Sequence, residues 1–350
     1  MEKLTIGARV VGPGEPPWVI AEIGSNHNGD MSLARRIVDA AKEAGADAVK
    51  FQSWSKDSLI SRAEYARNTR YAKLDPSALT LEQAVEKYQF TPAQHREMAA
   101  YCAQRGITFF SSCFSATEVE LLESLDVPAY KIASMDVTHL PLLDVVAATR
   151  KPVLLSTGMA TLAEIETALG RLRRGGSGPV ALLHCIALYP CPPSELNLRN
   201  IRTLERAFDV PVGFSDHTLG TTAALAAIAL GACLIEKHFT IDKKLEGWDH
   251  AISADPPELA AVVREGRAVW EAMGRAERVV GPAELEKRKA FRRRAVARHA
   301  LKKGSRLRAE DLEFKRPGTG IGPDQIDFVV GRALLRDVGA EEELEWSDLG

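Results

Sequence analysis

The chain has 350 residues, of which 45% are apolar and 26% are charged, and its formal net charge is -2. This balance is ordinary for a globular protein and lacks the basic excess of surfaces that bind nucleic acid or anionic membranes. We therefore expect neither nucleic acid nor membrane as a partner. An anionic ligand would need a local basic pocket.

The cysteine content indicates the redox environment in which the protein works. There are five cysteines, an odd number, and none forms a CxxC pair. Most lie inside apolar runs, which predicts buried, reduced thiols and no disulfide framework. The opening stretch MEKLTIGARVVG lacks the apolar core of a signal peptide, and no segment reaches the roughly 20 apolar residues that span a bilayer. We expect a cytoplasmic protein.

Short apolar runs alternate with helical patterns along most of the chain. The strand-like runs are residues 18–24, 46–52, 107–113, 129–134, 152–158, 180–185, 210–218 and 233–240. Helical patterns include residues 32–46, 161–175, 221–232 and 256–274. Eight strands, each followed by a helix, predict an α/β fold of the (β/α)8 TIM-barrel type. A doubly wound open sheet is the alternative, but its first turn is usually Gly-rich, whereas the first turn here reads GSNHNGD.

A change of composition near residue 275 predicts a second domain. We expect a catalytic barrel at 1–275, a charged linker at 276–290 and a small β-rich domain at 291–350. Residues 295–314 resemble residues 331–349, because both have an apolar strand, a Gly turn and a Leu-x-x-x-Asp-Leu tail. A domain of roughly 60 residues has a marginal core, so we expect it to dock on the barrel or on another subunit.

Polar residues stand at the end of every predicted strand, where barrel enzymes place their active sites. They are Glu22, Lys50, Gln52, Ser112, Lys131, Ser134, Ser156, His184, Ser215, His217, Glu236 and His238. Side chains two residues apart share one face of a strand, so several of these pairs are expected to point into the barrel mouth together. The long insertion at 53–90 follows the second strand and is expected to shape the pocket.

Two of these residues, Lys50 and Lys131, are lysines within apolar strands. Either one alone would be explained by a side chain that reaches solvent from the strand end. Both together, beside serines, favour a site for a phosphate or carboxylate, because a buried ammonium needs a counter-charge. Serines are also ordinary strand-end residues, so the residues by themselves leave both interpretations open.

The two histidines of FSDHTLG and IEKHFT are candidate metal ligands. His217 and His238 lie on consecutive strands, about 4.8 Å apart in a sheet, and imidazoles there can share Zn, Mn, Fe or Co. Two unrelated buried histidines are the alternative. His184 is a third candidate, as a ligand-binding or supporting residue. Glu22 is either a general acid/base or hydroxyl-binding group, or a turn residue, and Asp249 lies on the loop after the last strand.

A set of motifs in order along essentially the whole chain resembles the sialic acid, or nonulosonic acid, synthase family. The motifs are AEIGSNHNGD, AGADAVKFQ, YKIAS, KPVLLSTGM, LLHC, GFSDHTLG, IEKHFT, GWDH and KRPGTGI. The resemblance implies a barrel fused to a C-terminal antifreeze-like (SAF, β-clip) domain in a domain-swapped homodimer. It also implies a transferase that condenses phosphoenolpyruvate with an N-acylated amino-sugar aldehyde, giving a nine-carbon 2-keto sugar acid and phosphate.

The same resemblance implies roles for the residues at the strand ends. Glu22, His217 and His238 would be catalytic, and the two histidines would hold a divalent metal, most often Mn2+, with Mg2+ or Co2+ as alternatives. The phosphoenolpyruvate site would comprise Lys50, Lys131, Ser134, Ser156, His184 and Ser215. The sugar would contact Glu22, Gln52, Asn68, Tyr189, Glu236, Asp249 and, from the partner subunit, Arg316.

The sequence departs from the family pattern around the sugar. The insertion at 53–90 differs from sialic acid synthases proper, and Trp248 stands where a proline is common. N-acetylmannosamine and a 6-deoxy diacetamido hexose therefore both remain candidate acceptors, leading to a sialic, legionaminic or pseudaminic type of acid. The alternative function is that of a metal-dependent aldolase or lyase acting on a sugar phosphate, which shares the barrel, the histidines and the anion site.

Overall fold

The structure, a computed structural model, describes residues 1–67 and 80–350. The described chain forms two compact units, Met1–Gly274 and Arg275–Gly350. The larger unit contains the strands and helices of an α/β fold, and the smaller one is rich in turns and short strands. Within residues 1–67 and 80–350, no helix is both long enough and apolar enough to cross a membrane.

A short hairpin precedes the barrel. Strand β1 (Leu4–Ile6) pairs antiparallel with β2 (Arg9–Val11). The buried side chains of this hairpin share one apolar cluster with inward-facing residues from the beginnings of the barrel strands, such as Trp18 and Leu234. The hairpin therefore fills the amino-terminal end of the barrel, and a ligand has access from the carboxyl end.

Within the described residues, parallel strands close into an eight-stranded barrel, which confirms the predicted fold. They are β3 (Trp18–Gly24), β4 (Ala48–Ser53), β5 (Thr108–Cys113), β6 (Tyr130–Ile132), β7 (Val153–Ser156), β8 (Val180–Cys185), β9 (Val212–Asp216) and β10 (Leu234–His238). Each strand pairs with the next, and β10 pairs with β3 to close the ring. Several strands are shorter than predicted, because the polar residues at their ends, such as Ser134 and His217, already belong to the loops.

Helices follow the strands and cover the outside of the barrel. They are α1 (Met31–Glu43), α2 (Lys56–Leu59), α3 (Arg62–Arg67), α4 (Leu81–Tyr88), α5 (Pro92–Arg105), α6 (Ala116–Ser124), α7 (Leu140–Ala148), α8 (Leu162–Gly175), α9 (Asn200–Phe208), α10 (Thr222–Ala229) and α11 (Pro256–Met273). Local sequence sets their limits: Thr161 and Glu164 form a capping box at the start of α8, and Gly176 ends it in the left-handed conformation. Helices α2 to α4 belong to the insertion after β4.

Inward-facing positions change from apolar to polar along each barrel strand. Ile20 is followed two residues later by Glu22, and Leu154 by Ser156; the apolar member packs in the inner cluster and the polar member lines a cavity. The intervening residues, such as Val19 and Leu155, pack outward in the layer between strands and helices. Because side chains alternate between the two faces, each strand contributes a core residue and a site residue to the same side.

The smaller unit begins with α12 (Pro282–Phe291), a helix that forms within the predicted linker, followed by β11 (Arg294–Ala297) and β12 (Leu312–Lys315). The internal repeat has a structural counterpart. Asp311 and Asp348, the aspartates of its two Leu-x-x-x-Asp-Leu tails, each accept a hydrogen bond of 2.9 Å from the backbone N–H three residues earlier. The two halves also meet in backbone bridges, and their leucines share one core.

Candidate active site

A cavity of about 330 Å³ lies at the carboxyl ends of the barrel strands. All eight strands or the loops directly after them supply its walls. The predicted residues that line it are Glu22, Lys50, Gln52, Ser112, Lys131, Ser134, Ser156, Tyr189, Ser215, His217, Glu236 and His238. The alternation of the strands thus brings most of the predicted site residues into one enclosure.

Two lysines and two glutamates form a charged layer in this cavity, and all four side chains are buried. The Lys50 ammonium lies 2.7 Å from Glu22 Oε2 and 3.8 Å from Glu236 Oε2. The Lys131 ammonium lies 4.0 Å from Glu236 Oε1. The positive and negative charges balance in number, so an anion that binds between the lysines also has to be accommodated beside the carboxylates.

Hydrogen bonds orient the charged layer. Gln52 Nε2 donates to Glu22 Oε1 at 2.7 Å, and Ser215 Oγ donates to Glu236 Oε1 at 3.0 Å. Lys50 Nζ donates to Ser112 Oγ at 3.1 Å. The buried Ser156 Oγ lines the cavity and has no hydrogen-bond partner in the part of the chain that the structure describes. A buried hydroxyl of this kind is available to a ligand.

The local environment shifts the pKa values of these groups in different directions. Burial raises the pKa of Glu22 to about 7, and the attraction of Lys50 offsets only part of that effect. Burial acts in the same direction on Glu236, but there Lys131 and Lys50 outweigh it and lower the pKa. Burial lowers the pKa of Lys131. Of the two carboxyl groups, Glu22 is therefore the one suited to exchange a proton near neutral pH.

His217 and His238 face each other at the same edge of the cavity, with ring centroids 5.5 Å apart. His217 Nδ1 lies 2.8 Å from the Ile186 carbonyl oxygen. Since a carbonyl only accepts, Nδ1 carries a hydrogen, and Nε2 is the nitrogen that can bind a ligand. Burial holds the pKa of His238 well below its usual value, so this imidazole is neutral.

These two imidazoles fit a divalent metal ion. The buried Nδ1 of His238 has no hydrogen-bond partner among the described residues, and Asp249 Oδ2 lies 3.6 Å from it. Within residues 1–67 and 80–350 there is no group of three or more histidine, cysteine, aspartate or glutamate side chains arranged to hold a metal. A metal bound by the histidine pair would therefore keep coordination positions for water and substrate, as an open catalytic site does.

Tyr189 and Asp249 lie beside the histidines toward the outside. The Tyr189 ring centroid is 4.1 Å from that of His217, and the residue is about half exposed. Burial raises the pKa of Asp249 to about 6.

The structure does not place His184 in the cavity, which corrects its assignment to the anion site. Its ring stacks on Phe214 with centroids 5.9 Å apart, and its Nε2 lies 2.7 Å from the Leu196 carbonyl oxygen. The next residue, Cys185, lines the cavity instead. The physical reason is the alternation of side chains along β8, which sends neighbours to opposite faces.

The position of His184 leads to a prediction. We expect His184→Asn to change KM for phosphoenolpyruvate by less than about twofold, because the imidazole does not face the ligand. The variant should lose about 1–3 kcal/mol of stability if the buried hydrogen bond is broken. Steady-state kinetics and thermal unfolding measure the two effects. A tenfold higher KM with unchanged stability would restore His184 to the anion site.

Some residues that line the cavity were not predicted from the sequence. Cys185, Phe114, Met135 and Met159 line the cavity although they carry no charge. Burial opposes ionisation of the Cys185 thiol, but its contact with His217, 3.9 Å from Sγ to Nδ1, lowers its pKa. Cys185 lies two residues after the inward-facing Leu183, so the alternation of side chains along the strand would have predicted that it lines the cavity. The methionines and Phe114 follow strand ends, where periodicity no longer indicates direction.

An aromatic cluster stands next to the cavity and includes residues of the insertion. Trp54 packs 6.3 Å from Trp248, and Tyr88 meets Trp248 edge to face at 5.1 Å. Phe114, which lines the cavity, lies 6.2 Å from Trp54. The insertion after β4 thus contacts both the strand ends and the loop of GWDH, so the departures from the family pattern lie next to the cavity.

Two predicted sugar contacts are not among the described residues of the barrel unit. Asn68 falls outside the described residues. Arg316 belongs to the smaller unit, where it is exposed and its guanidinium carbon lies 5.3 Å from the centroid of the Phe291 ring. Phe291 is itself 59% exposed. Within its own unit, Arg316 is thus available to a ligand or to another chain.

Comparison with known proteins identifies the class. A closed parallel barrel whose polar strand ends line one cavity is the architecture of a barrel enzyme, and its family follows from two models. The model described as the NeuB family matches residues 37–278, and that of the SAF domain matches residues 292–350. The chain belongs to the NeuB family, which confirms the resemblance to nonulosonic acid synthases.

Individual relatives cover nearly the whole chain. The protein is 42% identical to an uncharacterized protein of Methanocaldococcus jannaschii, over 100% of this chain and 99% of that one. It is 38% identical to the N,N'-diacetyllegionaminic acid synthase of Legionella pneumophila, over 95% and 94% of the two chains. The crystal structure of the sialic acid synthetase from Leptospira borgpetersenii matches with a TM-score of 0.73 and 34% identity, over 82% and 95%. The protein is accordingly an enzyme of the synthase type.

Proposed function

We propose that the enzyme condenses phosphoenolpyruvate with the open-chain aldehyde of an N-acylated amino sugar. The products are a nine-carbon 2-keto sugar acid and phosphate. The observation that carries this proposal is the joint presence, in one cavity, of two buried lysines beside serines and of a histidine pair suited to a metal. The first set is chemically complementary to a phosphorylated carboxylic acid, and the second to an oxygen that gains negative charge.

Phosphoenolpyruvate is assigned to the inner part of the cavity. Lys50 and Lys131 are the buried cations that can neutralise its phosphate and carboxylate. The hydroxyl groups of Ser156, Ser215 and Ser134 provide neutral hydrogen-bonding partners, and Ser134 Oγ accepts a hydrogen bond of 3.0 Å from the Gly158 N–H. Because Lys50 and Lys131 are balanced by Glu22 and Glu236, the ligand must share the two lysines with these carboxylates.

The histidines His217 and His238 would hold Mn2+, with Mg2+ or Co2+ as alternatives. A bound divalent ion supplies Lewis-acid stabilisation to the aldehyde oxygen as it becomes an alkoxide. The hydrogen bond from His217 Nδ1 to Ile186 and the neutral state of His238 are what the protein contributes, since both keep imidazole lone pairs available.

The bonds in the reaction balance without any further reactant except water. Carbon 3 of phosphoenolpyruvate forms a bond to the aldehyde carbon, which leaves an oxocarbenium-like centre at carbon 2. Water adds to carbon 2, the bond from carbon 2 to the phosphate oxygen then breaks, phosphate leaves with that electron pair, and carbon 2 becomes the ketone. The two protons of the water end on the alkoxide oxygen of the former aldehyde and on the departing phosphate. Glu22, whose pKa is raised to about 7, is placed to accept a proton from the water.

The acceptor is assigned to the outer cavity. The candidate contacts for its hydroxyl and N-acyl groups are Gln52, Asn68, Tyr189, Glu236, Asp249 and Arg316. Relatives named for legionaminic acid and for sialic acid support N-acetylmannosamine and a 6-deoxy diacetamido hexose as the two acceptors to compare.

The deciding experiment measures phosphate release with a panel of sugars. We expect release from phosphoenolpyruvate to require both a divalent metal and an N-acylated hexosamine, and to stop when EDTA removes the metal. The product mass then identifies the sugar. No release with any amino sugar, together with metal-dependent cleavage of a sugar phosphate, would favour the aldolase or lyase alternative.

We also propose that the enzyme works as a domain-swapped homodimer in the cytoplasm. Exposed apolar residues on loops of the barrel mouth, Met135, Met159, Leu188 and Leu219, support a covering partner, and so does the exposed Phe291 of the smaller unit. All five cysteines are free and buried, which suits a reducing compartment.

Subunit complementation tests this dimer. His238→Ala and Arg316→Ala chains should each be nearly inactive alone. If Arg316 serves the partner's barrel, co-expression should restore about a quarter of wild-type activity, because half of the randomly assorted dimers contain one intact site. Equal inactivity of the mixture would place Arg316 on its own barrel or outside the site.

A further inference from the structure

A buried ion pair lies directly behind the histidine pair. Asp216 and Lys237 each precede one of the two histidines by one residue, and they are register partners on β9 and β10. Because side chains alternate along a strand, they face away from the cavity, which Ser215 and Glu236 line. The mechanism described above does not use these two charges.

Folding alone does not explain the ion pair. Lys237 Nζ lies 2.7 Å from Asp216 Oδ2, and the two side chains are 1% and 0% exposed. Removing two charges from water is costly, and an apolar pair of similar volume is often as stable or more so. The preceding outward-facing positions on the same strands, Phe214 and Ile235, are apolar and pack in the outer core. The charges must therefore contribute something other than burial.

Their hydrogen bonds enclose residue 217. Lys237 Nζ also donates to the Thr218 carbonyl oxygen at 2.8 Å, and the Thr218 N–H donates to Asp216 Oδ1 at 2.8 Å. The ion pair thus ties the chain on both sides of His217, whose own position lies just beyond the last ladder pair of β9. Residue 217 has two further contacts: its carbonyl accepts a hydrogen bond of 2.9 Å from the Cys191 N–H, and its Nδ1 lies 2.8 Å from the Ile186 carbonyl oxygen.

We propose that Asp216 and Lys237 are positioning residues that fix the two imidazoles relative to each other for one shared divalent cation. This inference rests on the metal site of the proposed function. Nitrogens that bind one ion at roughly 2.1 Å have to stand about 3 Å apart, so a small shift of residue 217 against β10 separates them. The ion pair resists that shift, because it joins the two strands immediately next to both histidines.

The test replaces both charges together. Asp216→Leu/Lys237→Met leaves the net charge unchanged and supplies an apolar pair. Because the buried Thr218 loses two hydrogen bonds, the thermal midpoint of the variant should fall, and circular dichroism checks that the barrel stays folded. We expect the Mn2+ affinity of the metal-free full chain, measured by calorimetry or by electron paramagnetic resonance of free Mn2+, to fall about 10- to 100-fold. Asp216→Asn, which keeps the side-chain size, should lower it in the same direction. If the double variant does not fold, Asp216→Asn decides by the same criterion.

The control is Asp47→Asn at the opposite end of the barrel, where Asp47 Oδ2 accepts a hydrogen bond of 2.9 Å from the Val19 N–H. It should leave the Kd for Mn2+ unchanged. A folded double variant with the wild-type Kd would overturn the positioning role. A wild-type chain that binds no Mn2+ would overturn the metal site itself and this inference with it, whereas weak binding confined to the variants leaves the proposed function intact.

Discussion

Replacing His238 by alanine is expected to abolish phosphate release from phosphoenolpyruvate and leave the barrel folded. The side chain is a neutral, buried imidazole 5.5 Å from the ring of His217, and its removal leaves one histidine to hold the metal. Loss of Lewis-acid stabilisation should cost at least about 10³-fold in kcat/KM. Initial rates at saturating Mn2+, together with calorimetric titration of Mn2+ into the metal-free variant, measure both consequences.

The matched control is His184→Asn, which also removes a buried imidazole from a barrel strand but at an outward-facing position. Its Mn2+ affinity should equal that of wild type. If His238→Ala retained full activity with a wild-type circular dichroism spectrum, His238 would not be a metal ligand and the histidine pair would be a packing feature of the strand ends.

Lys131→Met is expected to lower kcat/KM for phosphoenolpyruvate by about 10²- to 10³-fold, since truncating one member of a buried charge pair costs roughly 2–5 kcal/mol. Methionine keeps the length of the side chain and removes only the cation opposite the ligand's anionic groups. The change also leaves Glu236 with one cation fewer, which adds repulsion toward an incoming anion. KM for phosphoenolpyruvate should rise more than the Kd for Mn2+, and the comparison of the two separates the anion site from the metal site.

Lys151→Met is the matched control for this substitution. Lys151 pairs with Glu123 and Asp126 at 3.0 and 3.1 Å, just before β7 and therefore at the opposite end of the barrel from the cavity. We expect KM for phosphoenolpyruvate to be unchanged in this variant. Equal kinetic losses in the two variants would show that a general loss of stability, not the anion site, is responsible.

The fold was predictable because the barrel repeats one local signal. Parallel strands covered on both faces read as continuous apolar runs, and each is separated from the next by a helical pattern. Residues 18–24 and 180–185 were predicted with the bounds that the strands have in the structure. Helix ends were less accurate: α1 stops at Glu43, before Gly45 takes its positive φ, although the pattern continued to residue 46.

The site was predictable to the extent that chemistry coincides with strand ends. Lysines and histidines stand out in apolar runs, so Lys50, Lys131, His217 and His238 were recognisable. Cys185 and His184 show the limit of this approach. The residue type of His184 suggested a site residue. Whether a side chain faces the cavity depends instead on its position in the alternation along the strand, and therefore on where the strand begins.

By itself, the sequence determined the fold class, the polar ends of the strands and the family, because these depend on residue types and on their spacing along the chain. Only the tertiary structure decided which groups share an environment. In the structure, Lys50 Nζ lies 2.7 Å from Glu22 Oε2, His184 lies outside the cavity, and Asp216 pairs with Lys237 behind the histidines. Distances across a closed barrel depend on strand register and closure, and neither is written in the local pattern of any single strand.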